Sequence, residues 1–369
     1  MRLNEIDIHL TNRCNLLCKT CCYSSNELLL PELSTYKLKS VIDEAINMGC
    51  NDIHFSGGEP LLRHDIFELT EYVINRNVNL RIQTNGKLLT KENAKKLKQI
   101  GLKDLMISID GHTKESCDFI RGKGSYEAAI KGIKNAINEN FNIRVNAVLT
   151  EANKTLFVEI VKLATSLGVK KCSSFYFTPI GRGANNFNLW INPKDYIATC
   201  DMIDKDIDEF RKLEFDTDII IEKAYSKWKD ASSISIDGFT GCGGGCGHVF
   251  SNRDYLILRC DGNVYPCILL VDTPFTLGNV ERTTLDNIWK YSKNWEILDR
   301  STAVKQCVDC EHINLCNGGC AGYAHLLSGN YNNSDPRCVK MEIVPLCPIM
   351  KYNFRNDKLG GSSDDVLLD

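Results

Sequence analysis

The sequence has no excess of basic residues: 44 Lys and Arg stand against 47 Asp and Glu, a formal net charge of −3 over 369 residues. A nucleic-acid partner asks for a basic surface, so that class is set aside. No apolar run approaches the roughly 18 residues of a membrane span. A secretory signal is missing too: the N-terminus, MRLNEIDIHL, alternates apolar and polar residues, which is a strand pattern. These absences point to a cytoplasmic protein without membrane or nucleic-acid contact. The length suggests two or three domains and a large core.

Cysteine is abundant instead, with 18 in the chain. A reducing cytosol makes dense cysteine spacing a sign of metal binding or catalysis, not of disulfides. One group is Cys14, Cys18, Cys21 and Cys22; ten more lie from Cys242 to Cys347. The scattered Cys50, Cys117, Cys172 and Cys200 read as small buried apolar residues.

From residue 5 to about 180 the chain repeats strand then helix. EIDIHLT, DIHFSGG, LRIQTNG, DLMISIDG, IRVNAVLT and CSSFYFTPIG read as six strands with five helices between them. The first helix is expected to take Ser34 as N-cap and to stop at Gly49. Strands alternating with helices demand a parallel sheet with right-handed crossovers, either curled into a partial barrel or open and doubly wound. Glycine-rich and polar segments follow each strand (TNRC, SGGEP, TNG, SIDG, LTEAN, TPIGRG), and in barrels the C-terminal strand ends build the site. Each segment taken alone would pass for a turn. Residues 184–240 read as a partly helical bridge. Residues 241–350 are rich in cysteine and glycine and look too poor in apolar residues for a core of their own, so their fold is expected to depend on metal. The tail, 351–369, reads as disordered.

Cys14, Cys18 and Cys21 are spaced C-x3-C-x2-C directly after the first strand. Four thiolates saturate a 4Fe–4S cube, whereas three leave one iron open. Cys22, adjacent to Cys21, reads as a packing residue. A structural zinc site completed by Cys22 or a distant thiol is the alternative.

This loop, in front of SGGEP at 56–60 and SID at 108–110, resembles the radical S-adenosylmethionine superfamily over residues 5 to about 180. The resemblance implies a partial (β/α)6 TIM-like barrel in residues 1–183. It implies a cofactor site in which Gly57 and Gly58 meet the ammonium group with Glu59 in support. Asn85, Ser108 and Asp110 would face the nucleoside, and Arg121 the carboxylate. The family often has an aromatic residue before the third cysteine; Thr20 stands here.

Further on, Cys307, Cys310, Cys316 and Cys320 are spaced C-x2-C-x5-C-x3-C, with Cys338 beyond, and Cys246, Gly262 and Cys267 precede them. The pattern resembles the SPASM domain, which binds two auxiliary 4Fe–4S clusters; a pair of zinc ribbons is the alternative. The resemblance assigns Cys307, Cys310, Cys316 and Cys338 to the distal cluster. Cys246, Cys267 and Cys320 go to the proximal one, with Cys242 or Cys260 as its fourth ligand. Cys347 is left over, as a packing thiol or a substitute for Cys338. His248, Asp261 and Tyr265 are candidate acid–base groups near the proximal cluster, with ordinary polar roles as the plainer reading; the catalytic residue stays open.

The resemblance further implies an enzyme with three 4Fe–4S clusters and S-adenosyl-L-methionine. It would modify a ribosomally made precursor peptide or protein by crosslinking, epimerisation or decarboxylation, with a flavodoxin or ferredoxin as electron donor. The relatives that mature sulfatases carry an Asp after the YPC cysteine, where this chain has Ile268. The chain starts at strand one, so a leader peptide would need a separate recognition protein or an edge-strand contact. A tetrapyrrole enzyme, or a non-catalytic iron–sulfur electron-transfer protein, are the other readings. TPIGRG with Arg182 does not separate peptide from haem enzymes.

Overall fold

The computed structural model describes residues 2–212, 220–223, 254–298, 303–310 and 318–335. Cys242, Cys246, Cys316, Cys338, Cys347 and His248 lie outside the described residues, as does the tail.

Six strands follow the expected order: β1 (Glu5–Thr11), β2 (Asp52–Gly57), β3 (Asn79–Thr84), β4 (Asp104–Ser108), β5 (Asn142–Leu149) and β6 (Lys171–Tyr176). Each pairs in parallel with the next. Strands adjacent in both sequence and space, with crossovers of one hand, place every helix on one face and curl the sheet. Alternation decides the faces. Ile6, Ile8 and Leu10 of β1 are fully buried in the main core, whereas Asp7, His9 and Thr11 face into the barrel. The helices are α1 (Thr35–Asn47), α2 (Ile66–Ile74), α3 (Lys91–Ile100), α4 (Lys114–Arg121), α5 (Ser125–Asn138) and α6 (Phe157–Ser166). α1 shows why such segments are helical and where they stop. The Ser34 hydroxyl accepts from the Lys37 amide, and Leu38, Val41, Ile42 and Ala45 line the buried face. Gly49, at φ +101°, turns the chain out after the end. α4 is one helix more than the sequence pattern suggests; a capping box at Thr113 and Ser116 starts it.

The array does not stop at six strands. In the bridging region, α7 (Pro193–Lys212) leads to β7 (Ile220–Lys223), which pairs in parallel with β6. On the opposite edge β8 (Tyr255–Leu258) pairs in parallel with β1, followed by antiparallel β9 (Asn263–Tyr265) and β10 (Gly278–Asn279). The division points at 183 and 240 are therefore not breaks in the sheet.

Residues 241–350 were expected to lack a core of their own, and the described ones do not build a large separate one. Leu256, Leu258, Val264, Leu285, Trp289 and Trp295 join the barrel's main core. The open edge of β1 accepts β8, so this segment buries its apolar residues against the barrel and needs no separate layer. Helix α8 (Leu285–Tyr291) packs beside α1, and its first amide donates to Glu44 Oε2 at 2.6 Å. A smaller apolar cluster gathers Cys267, Leu270, Cys320 and Tyr323, the last two at and after the start of helix α9 (Ala321–Ser328).

The inward face is polar, and one of its groups gives a pH prediction. Burial pushes the Asp7 carboxyl up to about 6, against the lowering effects of His54, the Ser56 hydroxyl and Arg81. A folded-state value above the unfolded one means stability that is complete at low pH and lost as pH rises through 6. Asp7→Asn keeps an acceptor for Ser56 and removes the charge. The variant is expected to be more stable than the parent at pH 7.5, with the advantage smaller by about 1 kcal/mol at pH 5.5. Urea unfolding at the two pH values measures it; a constant difference would contradict the assignment.

Candidate functional site at the C-terminal mouth of the barrel

The cysteine loop leaves β1 at Thr11 and is folded by its own backbone. Asn12 is buried; its amide donates to the Leu28 carbonyl at 2.6 Å, and its carbonyl oxygen accepts from the Asn26 amide at 2.8 Å. The Cys21 amide donates to the Cys18 carbonyl at 3.2 Å. The same turn recurs at Cys310 and Cys307, at 3.0 Å. The Lys19 amide donates to the carbonyl of Ile120 on α4 at 2.8 Å. Cys14, Cys18 and Cys21 are half-buried free thiols on this one loop. Burial pushes the Cys14 thiol up, and Cys18 up to about 11, with Arg121 acting against it in both. Bound metal is what turns such thiols into thiolates. Cys22 is also pushed up by burial, and it packs with Tyr23 and Ile257. That is the packing role expected of it.

SGGEP lies directly on this loop. A Cβ on Gly57, at φ +120°, would sit 2.5 Å from the Thr11 carbonyl, and one on Gly58 would overlap the Arg13 carbonyl. Glycine lets the backbone come close enough for the Gly58 amide to reach Thr11 O at 2.7 Å and the Glu59 amide to reach Arg13 O at 2.9 Å. Glu59 is fully buried. It accepts from the Thr84 hydroxyl at 2.7 Å, the Leu61 amide at 3.2 Å and the Asn85 amide at 2.9 Å. Burial raises its carboxyl, and those donors oppose the shift. Its visible work is to tie the end of β2 to the end of β3.

Asn85 spends its side chain on the same loop. Its amide donates to Asn15 Oδ1 at 2.7 Å and lies 3.9 Å from Cys14 Sγ, while its oxygen accepts from the Lys87 amide at 2.9 Å. Asp110 is fully buried; one oxygen accepts from the Val148 amide at 2.8 Å, and the other pairs with Arg121 at 3.0 Å. Ser108 ends β4, buried, in register with Asn146. All seven expected cofactor-site residues thus gather at one mouth, with Asp110 and Arg121 facing each other.

Three long-range arginines were not singled out for holding this site. Arg182 donates to Glu27 at 2.7 Å, to the Cys18 carbonyl at 3.2 Å and to the Ser25 carbonyl. Arg259 of the C-terminal segment, 1% exposed, donates to Asn12 Oδ1 at 3.3 Å and pairs with Asp272 at 2.8 Å. Arg63 holds the end of β1 from the β2–α2 turn. Spacing along the chain does not reveal these holds, because the carbonyls and side chains gripped at the site lie 53 to 247 residues from the arginine.

Of the C-terminal cysteines, Cys267, Cys307 and Cys320 are buried and Cys310 is half-buried. Cys260 is buried too, with its thiol pushed up to about 11 by burial. Its carbonyl accepts from the Leu33 amide at 2.7 Å. Asp261 accepts from the Asn263 amide at 3.1 Å and side chain at 2.8 Å, which gives it a role in the turn. Tyr265 is pushed up to about 12, chiefly by burial.

Comparison with known proteins decides what this mouth is. The family described as the Radical SAM superfamily matches residues 8–164, and the iron–sulfur cluster-binding SPASM domain matches residues 246–311. The chain belongs to the radical SAM superfamily. It is a radical SAM enzyme with a SPASM domain, and it uses 4Fe–4S clusters and S-adenosylmethionine. The mycofactocin maturase MftC of Mycolicibacterium smegmatis is 29% identical over 335 residues, 90% of this chain and 81% of the relative. The AdoMet-dependent heme synthase of Methanosarcina barkeri is also 29% identical, over 349 residues, 89% of this chain and 94% of the relative. Among solved structures, Streptococcus suis SuiB bound to S-adenosylmethionine superposes with a TM-score of 0.76 at 17% identity, over 92% of this chain and 77% of that one. The enzyme anSMEcpe with bound AdoMet gives 0.69 at 23% identity, over 89% and 93%. Both structures share the fold of this radical SAM enzyme. No helix among its described residues is long and apolar enough to cross a membrane.

Proposed function

We propose that this enzyme oxidatively modifies a ribosomally made peptide, by crosslinking, epimerisation or decarboxylation. The observation that carries the reading is the state of the arginines at the mouth. Arg13 pairs with Glu32, Arg182 with Glu27 and Arg259 with Asp272, while Arg121, held by Asp110 through one nitrogen, is the one assigned to the cofactor's own carboxylate. A tetrapyrrole presents several carboxylates and calls for cations to receive them, whereas a peptide backbone asks for neutral donors and acceptors. Ser108 and Asn146 are neutral polar side chains of that kind on the inward face of β4 and β5, with Asn146 held by the Ser173 hydroxyl at 2.9 Å. The similarity to a mycofactocin maturase agrees with this, as does the fold shared with SuiB solved with its precursor peptide SuiA, at a TM-score of 0.74.

The cluster residues we propose are Cys14, Cys18 and Cys21 for the first cube, whose three half-buried thiols suit a centre with one open iron. When bound, cube and S-adenosylmethionine supply a 5′-deoxyadenosyl radical. Gly57 and Gly58 would hold the cofactor's ammonium group, and Glu59 would support them from behind through Asn85 and Thr84. Arg121, screened by Asp110, would meet the carboxylate, and Ser108 the nucleoside. In the C-terminal segment Cys267 and Cys320 would serve the proximal cluster, and Cys307 and Cys310 the distal one with Cys316 and Cys338. Cys260 continues the outward alternation of Leu256 and Leu258 and meets Leu33, while Cys267 belongs to another apolar cluster. That favours Cys242, with Cys246, over Cys260. A separate peptide-recognition protein and a flavodoxin- or ferredoxin-type donor complete the proposal.

The test is mass spectrometry of a candidate precursor peptide made together with the enzyme. Loss of a hydrogen molecule marks a crosslink, loss of the elements of formic acid marks oxidative decarboxylation, and unchanged mass with solvent deuterium marks epimerisation. Turnover of an iron porphyrin with propionate loss, and none of a peptide, would replace this reading with the haem one.

A further inference from the structure

The segment after β6 touches both the first cysteine loop and the apolar cluster around Cys267 and Cys320. On one side it grips the first cluster's loop across more than 150 residues of sequence. Arg182 donates to the carbonyls of Cys18, at 3.2 Å, and Ser25. The Gly183 amide donates to the Cys21 carbonyl at 3.2 Å, and Asn186 donates to the Lys19 carbonyl at 3.2 Å. Gly181, at φ +56°, lies so close that a Cβ there would overlap the Cys22 carbonyl. On the other side Ile180, Phe187 and Trp190 pack against the apolar cluster that contains Cys267 and Cys320. The Thr178 hydroxyl meets the Tyr323 hydroxyl at 2.8 Å, three residues past Cys320. The segment is anchored from behind, where the Glu151 amide donates to the Leu189 carbonyl at 2.8 Å. Arg182 is itself buried, 7% exposed, with its charge set against Glu27.

We propose that residues 178–190 are a strut that sets the position of the first cluster relative to the proximal auxiliary cluster, with Arg182 and Asn186 as positioning residues for the first and Thr178 and Phe187 for the second. The proposal rests on the reading of Cys14, Cys18, Cys21, Cys267 and Cys320 as cluster ligands. The physical reason for a strut is that both ligand sets sit on loops. A loop's path is decided by what holds its backbone carbonyls and amides, and four of the holds on the first loop come from this one segment. A single element packed on both sites transmits a displacement of either to the other, which separate anchors would not.

The test uses reconstituted holoenzyme and the variants Arg182→Met, Arg182→Lys, Asn186→Ala, Phe187→Ala and Thr178→Val. The readouts are iron per chain, the temperature dependence of the reduced first cluster's electron-spin relaxation, and peptide product per 5′-deoxyadenosine released. Relaxation reports the nearby auxiliary cluster, so it moves with their spacing. Full iron with altered relaxation, and a product ratio lowered about tenfold or more, is the expected result for Arg182→Met and Phe187→Ala. Arg182→Lys keeps full iron and recovers the ratio only in part, since an ammonium does not reach all three acceptors at once. Thr178→Val is nearly isosteric and keeps the fold, so it decides the matter should the larger substitutions lose iron. Unchanged relaxation and product ratio in Thr178→Val and Asn186→Ala, at full iron, overturn the strut. The ligand reading fails separately: Cys267→Ala and Cys320→Ala would then keep their full iron.

Discussion

Replacing Cys14, Cys18 and Cys21 together by alanine is expected to remove about four iron atoms per chain. Release of 5′-deoxyadenosine should fall to the uncatalysed background, a loss of at least about a million-fold. The fold should survive. The loop is shaped by Asn12, by amides of Gly58 and Glu59, and by Arg182, none of which uses a thiol. The three side chains are only half-buried, so alanine leaves no large internal cavity. Iron analysis, anaerobic assay with reductant, and circular dichroism on the same preparation check each part. Iron that stays at the parent level would mean that the first centre is held elsewhere, and the site proposed here would be wrong. Cys22→Ala serves as the contrast. Its thiol belongs to the Tyr23 and Ile257 cluster, so iron should stay and stability fall modestly.

Arg63→Met is expected to cost about 3–5 kcal/mol of folding stability, the loss typical of removing one partner of a buried ion pair. Arg63 is 3% exposed. It makes a two-point contact with Asp65 at 2.7 and 2.9 Å and donates to the carbonyls of Leu10 and Leu33, each at 2.9 Å. Methionine fills much of the volume but leaves a buried carboxylate with Thr35 as its remaining side-chain donor, at 2.5 Å, and takes a donor from two carbonyls. Lysine should recover little, because one ammonium does not replace a planar fork. Arg13→Met is the control. Arg13 pairs with Glu32 at 2.9 Å but its side chain is 48% exposed, so about 1 kcal/mol or less is expected. Urea unfolding under anaerobic conditions measures all three. A cost below about 1 kcal/mol for Arg63→Met would mean that the pair is solvated in solution. Because Leu10 precedes the cysteine loop, iron retention in this variant should weaken as well.

Much of the barrel was legible beforehand. Six strands and the helices between them announce themselves through period-two and period-3.6 patterns, since each strand must bury one face and each helix one stripe. β7 and β8 were not legible as sheet members. A strand of four residues carries little pattern, and its pairing with β6 or β1 is a choice among partners made in three dimensions. The apolar residues from Leu256 to Trp295 looked too sparse for a core because the core they complete belongs mostly to residues 3–210. Glu59 was read as support for a cofactor contact and Arg121 as a direct one. The structure adds that Glu59 braces Thr84 and Asn85 and that Arg121 leans on Asp110, partnerships invisible to spacing.

By itself the sequence determined the chemistry: thiols three or four residues apart on one loop, glycines where backbone must approach backbone, and strand ends bearing polar groups. These are local relations, fixed by chain geometry over a turn or two. Only the tertiary structure decided which distant groups hold those loops still. Arg182 reaches Cys18 across 164 residues and Arg259 reaches Asn12 across 247. A guanidinium finds its acceptors by where folding brings it, and nothing in its neighbours along the chain records that.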